Sequence, residues 1–329
     1  MTRGPNVVVI GGGTGLSVLL RGLKRYTENI TAIVTVADDG GGSGVLREDL
    51  GMLPPGDLRS CILALSNTEP IMERLLQYRF EEGCLKGQNF GNLLIAAMVG
   101  ISSSFEEAIE RVNDIFAVTG KVLPATTTAL DLWGVLENGT RVVGESELPR
   151  RALAEGSPIR RVGLMPADAP PLAAAVEAVH QADLIVLGPG SLYTSVIPNL
   201  LIRDLAAAVA AAAVPKVYIC NLMTQPGETD GCGVWDHVSA ILEHGASALV
   251  TAVMVNTGPV PEAIQARYRR EGAHLIVLEP EDEAALARQG ITLHGDDFVE
   301  IRSNYLRHNA DHLSRQLLNL VDVRRYTGH

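Results

Sequence analysis

The first thirty-six residues constrain the fold more than any other part of the chain. Residues 6–10 form a continuous apolar, β-branched run, and a glycine-rich segment, 11–15, follows it directly. A helical pattern then covers residues 16–26, and a second apolar run covers 30–36. Apolar runs without polar alternation are typical of strands covered on both faces, as in parallel sheets. The start of the chain therefore predicts a strand–helix–strand unit with a glycine loop at its first turn.

Further apolar runs indicate that this pattern continues. We predict later strands at residues 182–187, 216–220, 248–255 and 274–278. Residues 123–146 differ, because they alternate and contain the pair Asn138-Gly139, which is typical of a β-hairpin turn. The predicted fold class is α/β: a Rossmann-like, doubly wound, mainly parallel sheet with helices on both faces and a small inserted β-hairpin. We expect one domain over residues 4–315 and a C-terminal tail over 316–329.

The first glycine loop has the composition of a phosphate site. Its candidate binding residues are Gly11, Gly12, Gly13, Thr14 and Gly15. Glycine lets the backbone turn tightly and approach a phosphate, and the N–H groups at a helix start complement its charge. The dinucleotide fingerprint G-x-G-x-x-G is only partly met, because Leu16 or Val18 stands where its third glycine would be. The alternative is a glycine turn without a ligand.

Acidic and polar residues follow the second predicted strand. Asp38 and Asp39 are candidates for accepting hydrogen bonds from ribose hydroxyls or for holding Mg²⁺ beside a phosphate. Ser43 lies in the glycine-rich turn that follows, and Arg47 is a candidate phosphate clamp just beyond it. The alternatives are an Asx-rich turn that caps the next helix and a solvated arginine.

Two asparagines between glycines precede another helical stretch. Asn89 and Asn92 stand at the start of the apolar residues 93–99. They either cap that helix or read the polar edges of a ligand, and both are included among the candidate binding residues.

A second glycine loop follows the strand predicted at 182–187. Its candidate binding residues are Gly188, Gly190, Ser191, Tyr193, Thr194 and Ser195. The next strand is followed by Asn221 and Thr224, and then by Glu228 and Asp230, which fit either acid–base or metal chemistry or a polar turn. Loops after parallel strands open at the carboxyl edge of the sheet, where ligands bind in open α/β folds. We therefore expect the two loops to meet at one diphosphate.

The charge and the cysteines limit the partners and the compartment. The chain has 27 basic and 38 acidic residues, a net charge of −11, so its field repels nucleic acid and anionic membranes. Its four cysteines have no C-x-x-C spacing and are expected to be reduced. The N-terminus has no leader pattern, and the longest apolar run, 205–214, is half of what a bilayer requires. We therefore expect a cytoplasmic protein.

Six motifs together resemble one family. VVVIGGGTGLS, ADDGGGSGVLR, PPGDLR, QNFGNL, LGPGSLYTS and NLMTQPGETDG resemble the YvcK proteins, the gluconeogenesis factors of the group that includes 2-phospho-L-lactate transferase. The resemblance implies a Rossmann-like homodimer that binds a uridine-diphosphate amino sugar such as UDP-N-acetylglucosamine. It also implies a regulator of gluconeogenic growth, cell shape and peptidoglycan precursor supply, with an enzyme of amino-sugar synthesis as a candidate partner.

The same resemblance assigns two ligand-binding residues near the C-terminus. A family tyrosine tied to nucleotide-sugar binding corresponds to Tyr268, and a family arginine corresponds to Arg307, with Arg302 as its rival. The transferase branch places a magnesium-binding aspartate at the pair Asp38–Asp39. Its preceding residues, Asn-Thr-Gly, are replaced here by Thr-Val-Ala, which weakens the case for transfer chemistry.

Three classes of function are therefore in competition. The first is a binding and regulatory protein for a nucleotide sugar. The second is a Mg²⁺-dependent transferase of a phosphate-linked group. The third is an NAD-binding dehydrogenase, for which the sequence offers no clear acid–base pair for hydride transfer. No catalytic residue is assigned.

Overall fold

The computed structural model of the chain describes residues 4–321. In chain order the strands are β1 Val7–Gly11, β2 Ile30–Val34, β3 Lys121–Pro124, β4 Asp131–Leu136, β5 Arg141–Val143, β6 Ile159–Met165, β7 Leu184–Leu187, β8 Lys216–Ile219, β9 Ala252–Asn256, β10 Thr292–Asp296, β11 Val299–Arg302 and β12 Tyr305–His308. The α-helices are α1 Gly13–Leu23, α2 Gly41–Leu50, α3 Gly56–Leu65, α4 Pro70–Gln77, α5 Phe90–Ile101, α6 Phe105–Ile115, α7 Glu147–Glu155, α8 Ala173–His180, α9 Ile197–Leu200, α10 Arg203–Ala211, α11 Val234–His244, α12 Glu262–Arg270, α13 Pro280–Arg288 and α14 Ala310–Leu318. A π-helical turn, Leu192–Val196, leads into α9.

The main sheet has seven strands in the order β10-β9-β8-β7-β1-β2-β3. Every neighbouring pair is parallel, which confirms the predicted doubly wound α/β class. The strand order reverses between β1 and β7: the chain runs outward to one edge from β1 and to the other from β7. Such a reversal opens a crevice at the carboxyl ends of the two central strands, and both glycine loops leave from there.

Helices cover the sheet on both faces, and β1 contributes to both cores. Val8 and Ile10 pack into one apolar cluster, with side chains from α8 to α11 and from β4. Val7 and Val9 pack into the other cluster, with side chains from α1, α3 and α14. All four are almost fully buried. A buried side chain of this size stabilises the fold by about 1.5–3 kcal/mol, which explains why the strand has no polar alternation.

A three-stranded antiparallel sheet, β5-β4-β6, lies outside the main sheet. The turn between β4 and β5 contains Gly139 at a φ of +88°, and the Asn138 side chain accepts the Thr140 N–H at 2.9 Å. The hairpin expected within 123–146 is thus extended by β6, whereas β3, at the start of that range, pairs with β2 in the main sheet.

Other boundaries also differ from the predictions. The strand predicted at 274–278 is wrong, because only an isolated bridge between Met223 and Leu275 forms there. The sheet edge is taken instead by β10, a partly exposed strand with polar residues and no apolar run. Helix α1 begins at Gly13, inside the glycine loop, and not at residue 16. Helix α14 continues past residue 315 to Leu318, and residues 322–329 of the predicted tail lie outside the described part of the chain.

No single helix in residues 4–321 is both long and apolar enough to span a bilayer. One pair, Leu192–Leu200 with Arg203–Ala211, meets the length and composition criteria only when joined, and it is bent by 80°.

Candidate functional site

A cavity of about 680 Å³ opens at the carboxyl ends of β1 and β7, and we call it the loop cavity. Both glycine loops line it, so the structure brings together two segments nearly 180 residues apart in the chain. The predicted residues that line it are Gly12, Gly13, Thr14, Gly15, Gly190, Ser191, Thr194, Ser195, Asn221, Thr224, Tyr268 and Arg307.

The two loops touch each other through glycines. A Cβ atom on Gly15 would lie 2.7 Å from the carbonyl oxygen of Pro189, and one on Gly190 would lie 3.0 Å from the carbonyl oxygen of Gly12. Larger residues at these positions would force the backbones apart. Gly13 has a φ of +72°, a conformation that disfavours other residues. These glycines therefore set the distance between the loops.

The first loop presents a helix N-terminus to the cavity. Gly12 precedes α1 and provides no side-chain cap. The first N–H groups of a helix have no partner within it, and the helix dipole places partial positive charge there. Thr14 and Gly15 in this first turn line the loop cavity. The arrangement suits a phosphate group.

The carboxylate of Asp57 lies beneath the first loop. It accepts a hydrogen bond from the Gly13 N–H, and a Cβ on Gly12 would collide with it. Burial, together with a smaller contribution from the negative charge of Asp38, raises the pKa of Asp57 to about 7. Near neutral pH this carboxyl group therefore exchanges between an acceptor-only form and one that can donate a proton.

A second acidic side chain, Glu145, lines the loop cavity and was not predicted. Burial raises its pKa to about 8, with smaller contributions from the charges of Asp38, Asp39 and Asp57, while a hydrogen bond from Thr194 opposes the shift. Glu145 lies between β5 of the small sheet and α7, and its side chain bonds to Thr194 of the second loop. No local sequence motif marks it.

The side chains of Asp38 and Asp39 have different hydrogen-bond partners, as expected for adjacent residues. Asp39 accepts the N–H groups of Glu145 and Ser146, each at 2.9 Å, and so anchors the start of α7. Asp38 is largely buried, which raises its pKa, and it accepts the Gly40 N–H at 2.9 Å. The Asx turn weighed from the sequence is therefore present at Asp38.

Asp38 interacts electrostatically with Asp57, whereas Asp39 is engaged by two backbone N–H groups. In residues 4–321 no group of three or more His, Cys, Asp or Glu side chains could hold a metal. Proteins often bind Mg²⁺ through one or two carboxylates together with phosphate oxygens from a substrate. The charge of Asp38 raises the pKa of Asp57, and Asp57 contacts the first loop. The carboxylate oxygens of this pair are of the type that Mg²⁺ prefers, but neither residue lines the loop cavity.

The second loop binds an internal carboxylate. One oxygen of Glu228 accepts the Tyr193 N–H at 2.7 Å and the Thr194 N–H at 3.3 Å. Burial raises the pKa of Glu228 to about 7, although these two bonds favour its charged form. From the sequence, Glu228 fitted either acid–base or metal chemistry or a polar turn. In the structure its carboxyl group occupies the position at the second loop where a phosphate was expected.

Two amide side chains hold the second loop from β8. Asn221 donates to the Gly190 carbonyl oxygen at 2.9 Å, and Gln225 donates to the Ser191 hydroxyl at 2.8 Å. The side-chain oxygen of Gln225 is buried without a hydrogen-bond partner among the described residues. Because Gln225 lines the cavity, that oxygen is a candidate acceptor for a ligand hydroxyl or amide.

Tyr268, from α12, and Arg307, from β12, also line the loop cavity. The Tyr268 hydroxyl accepts the Leu306 N–H at 3.0 Å, which fixes α12 against β12 next to Arg307. Arg307 donates to the Leu306 carbonyl oxygen at 3.0 Å. His308 also lines the cavity; burial lowers its pKa to about 4, so the ring is neutral and lies 3.3 Å from the Cys220 carbonyl oxygen. The rival Arg302 forms an ion pair with Glu300 and does not line the loop cavity.

The remaining predicted residues lie outside the lining of the loop cavity. They are Gly11, Asp38, Asp39, Ser43, Arg47, Asn89, Asn92, Gly188 and Tyr193.

Three of these have structural contacts that account for them. Asn89 caps α5 by accepting the Asn92 N–H at 3.2 Å, so the capping alternative describes it. Asn92 is buried and donates to the Ser43 hydroxyl at 3.4 Å. Arg47 forms an ion pair with Asp131 at 2.5 Å, which turns its charge toward the small sheet and away from the expected phosphate.

A parallel α/β sheet whose glycine loops line a cavity at its topological switch point defines a protein of the Rossmann-like class. The model of the family "2-phospho-L-lactate transferase CofD" matches residues 7–299. The chain therefore belongs to the CofD family.

Similar proteins place it among the gluconeogenesis factors of that family, which confirms the resemblance seen in the motifs. The chain is 54% identical to a protein of that group from Thermoanaerobacterium thermosulfurigenes, over 97% of this chain and 98% of the relative. It is 42% identical to the gluconeogenesis factor of Bacillus subtilis, over 98% and 99%. A crystal structure of a UPF0052 family protein from Bacillus halodurans matches with a TM-score of 0.91 and 47% identity, over 95% of this chain and 99% of that chain.

Proposed function

We propose that the protein is a regulatory protein that binds a nucleotide sugar of the UDP-N-acetylglucosamine type in the loop cavity. The observation that carries the proposal is the meeting, in one cavity, of a helix N-terminus with an aromatic ring and an arginine from the far end of the chain. Roles in gluconeogenic growth, cell shape and peptidoglycan precursor supply, a homodimer and an enzyme partner remain predictions of the family resemblance.

Each part of such a ligand has a matching part of the cavity. The diphosphate fits the first turn of α1, and Arg307, in the lining of the same cavity, supplies a positive charge. Tyr268 offers a ring for stacking on the base. The unpartnered oxygen of Gln225 suits a donor on the sugar or the base. The second loop acts as a wall, because Glu228 already occupies its amides.

The test is calorimetric titration with UDP-N-acetylglucosamine. Tyr268→Ala is expected to weaken binding about tenfold or more, since base–aromatic stacking contributes about 1–3 kcal/mol. Tyr268→Phe keeps the ring and loses only the bond from Leu306, so it should retain most of the affinity. Arg307→Gln should also weaken binding about tenfold. Tyr78→Ala, at an exposed tyrosine outside the cavity, is the matched control. Unchanged affinity in both Tyr268→Ala and Arg307→Gln would refute the assignment.

The second candidate is a transferase of a phosphate-linked group, which the acidic pair Asp38 and Asp57 favours. Bound Mg²⁺ would supply charge stabilisation at the transferred phosphate. In this hypothesis the ionised fraction of Glu145, whose pKa is raised to about 8, is the base that takes the proton from the acceptor hydroxyl. Mass spectrometry of a UDP sugar incubated with protein, Mg²⁺ and candidate alcohols tests it. Product that disappears in Asp57→Asn would establish transfer, and its absence across all acceptors would favour the regulator.

A further inference from the structure

A second cavity, of about 750 Å³, lies on the other side of the α1 N-terminus, and we call it the arginine cavity. It is bounded by α1, α3 and the hairpin β11–β12. Thr14, Val18 and Arg307 line both cavities, so the two adjoin. The arginines that line it are Arg21, Arg25, Arg59, Arg79, Arg302 and Arg307.

Half of these arginines are neutralised by carboxylates. Arg21 pairs with Glu73 at 3.0 Å. Arg25 pairs with Asp311 at 2.7 Å, and Arg302 pairs with Glu300 at the same distance. Glu300 and Asp311 are themselves part of the lining. These three pairs account for the acidic groups that line the arginine cavity.

The other three arginines have no carboxylate partner within 4 Å in the part of the chain that the structure describes. Arg79 donates to the Gly87 carbonyl oxygen at 2.6 Å, and Arg307 donates to the Leu306 carbonyl oxygen. Both contacts involve neutral oxygens and leave the positive charges uncompensated. A guanidinium has five N–H donors, so most of its hydrogen-bonding capacity remains for a ligand.

Arg59 is the most unusual of the three. Its Nε atom is buried and has no hydrogen-bond partner among residues 4–321, and its only recorded bond is a long one, 3.5 Å, to Ser60. Burial and the charge of Arg79 lower the pKa of its guanidinium, while Asp57 partly offsets this. Two neighbouring guanidinium groups repel each other, and a buried donor without a partner is unfavourable. A bound anion relieves the repulsion between the two guanidinium groups.

The excess of positive charge in the arginine cavity contrasts with the negative net charge of the whole molecule, which is −11. Arginine forks bind phosphate groups through two parallel hydrogen bonds. A phosphate monoester carries about −1.5 to −2 charges at pH 7, so one or two of them balance three guanidinium groups.

We propose that the arginine cavity is a second ligand site, for a small phosphorylated molecule held by Arg59, Arg79 and Arg307. This site is separate from the nucleotide-sugar site and adjoins it through the first turns of α1. A regulatory protein with both sites responds to two metabolites, and Arg307, which lines both cavities, couples their binding.

The experiment is calorimetric titration with inorganic pyrophosphate, at fixed ionic strength. The wild-type protein should bind it. Arg79→Gln should weaken binding at least tenfold, and because Arg79 is exposed, the variant should fold normally. Arg59→Gln should have a similar effect. Arg288→Gln is the matched control, since it removes the same charge from an exposed site on α13 outside both cavities.

A further variant distinguishes the two cavities. Ser191→Glu adds a negative charge to the loop cavity alone. Pyrophosphate bound in the arginine cavity should retain its affinity in this variant, whereas pyrophosphate bound at the glycine loops should lose it. The proposal is overturned by three results: no binding to the wild type, unchanged binding in Arg79→Gln, or binding that Ser191→Glu abolishes.

Discussion

The two glycine loops stand side by side at the ends of β1 and β7, yet their backbone amides have different partners. The first loop opens a regular α-helix, and only its Gly13 N–H is bonded to a carboxylate, that of Asp57. The second loop opens a π-helical turn, and Glu228 accepts two of its N–H groups from within the core. Similar sequences therefore give one loop with donors available to a ligand and one closed by the protein itself.

The comparison teaches that a glycine loop defines an anion site but not the anion. Helix N-termini attract negative charge, and the fold can supply that charge from a side chain. The second loop then serves as a rigid wall against which the first loop packs. Four predictions follow from this difference, from the largest effect to the smallest.

We expect the largest loss of stability from a substitution at the contact between the two loops. Gly15→Val should place its side chain against the Pro189 carbonyl oxygen and reduce the free energy of unfolding by about 3 kcal/mol or more, because the backbones cannot move apart cheaply. Urea denaturation measures the change. Gly100→Ala is the control: its Cβ meets no atom within 4 Å in α5, so it should stabilise the protein by about 0.5–1 kcal/mol. Equal effects at the two positions would contradict the close packing.

The internal carboxylate of the second loop should make stability depend on pH. The pKa of Glu228 is about 7 in the folded protein, against about 4.5 when exposed. The folded state therefore holds this proton more tightly, and the free energy of unfolding falls as pH rises from about 4.5 to 7. Relative to wild type, Glu228→Gln should gain about 3 kcal/mol between pH 4.5 and pH 8.

Urea denaturation at a series of pH values tests this prediction. Glu137→Gln, an exposed carboxylate given the same change, is the control and should leave the pH dependence as it is in wild type. A parallel pH dependence for wild type and Glu228→Gln would show that Glu228 is not the buried acid of the second loop.

The first loop should show its pH dependence in binding. The pKa values of Asp57 and Glu145, about 7 and about 8, mean that both groups become negative as pH rises. Affinity for UDP-N-acetylglucosamine should fall about three- to tenfold between pH 6 and pH 8.5, because the new charges repel the diphosphate. Calorimetry of Glu145→Gln should show a smaller fall. A rise in affinity with pH would be the opposite of what the site electrostatics require.

The smallest effect is expected at Arg47. Because its charge is paired with Asp131, Arg47→Ala should change the affinity for the nucleotide sugar less than twofold. The free energy of unfolding should fall by about 1 kcal/mol or less, as is typical of partly exposed ion pairs. A tenfold loss of affinity would show that Arg47 contacts the ligand.

The sequence allowed the central strands of the sheet and both loops to be predicted, since each depends on short-range patterns. The buried strands were visible as apolar runs, and the glycine loops as interruptions after two of them. The edge strand β10 was missed because an exposed edge needs no apolar run. Glu145 and the role of Glu228 were missed because both depend on contacts between segments far apart in the chain, which no local spacing encodes.

The adjacency of β1 and β7 also determines when this protein becomes functional during synthesis. The first glycine loop leaves the ribosome before its neighbouring strand, which follows more than 170 residues later, and Arg307 follows later still. At about 5–20 residues per second, the binding cavity is completed many seconds after its first element appears. A nascent or C-terminally shortened chain therefore has the first glycine loop without the complete cavity, and the proposed ligand binding requires translation through the β11–β12 hairpin.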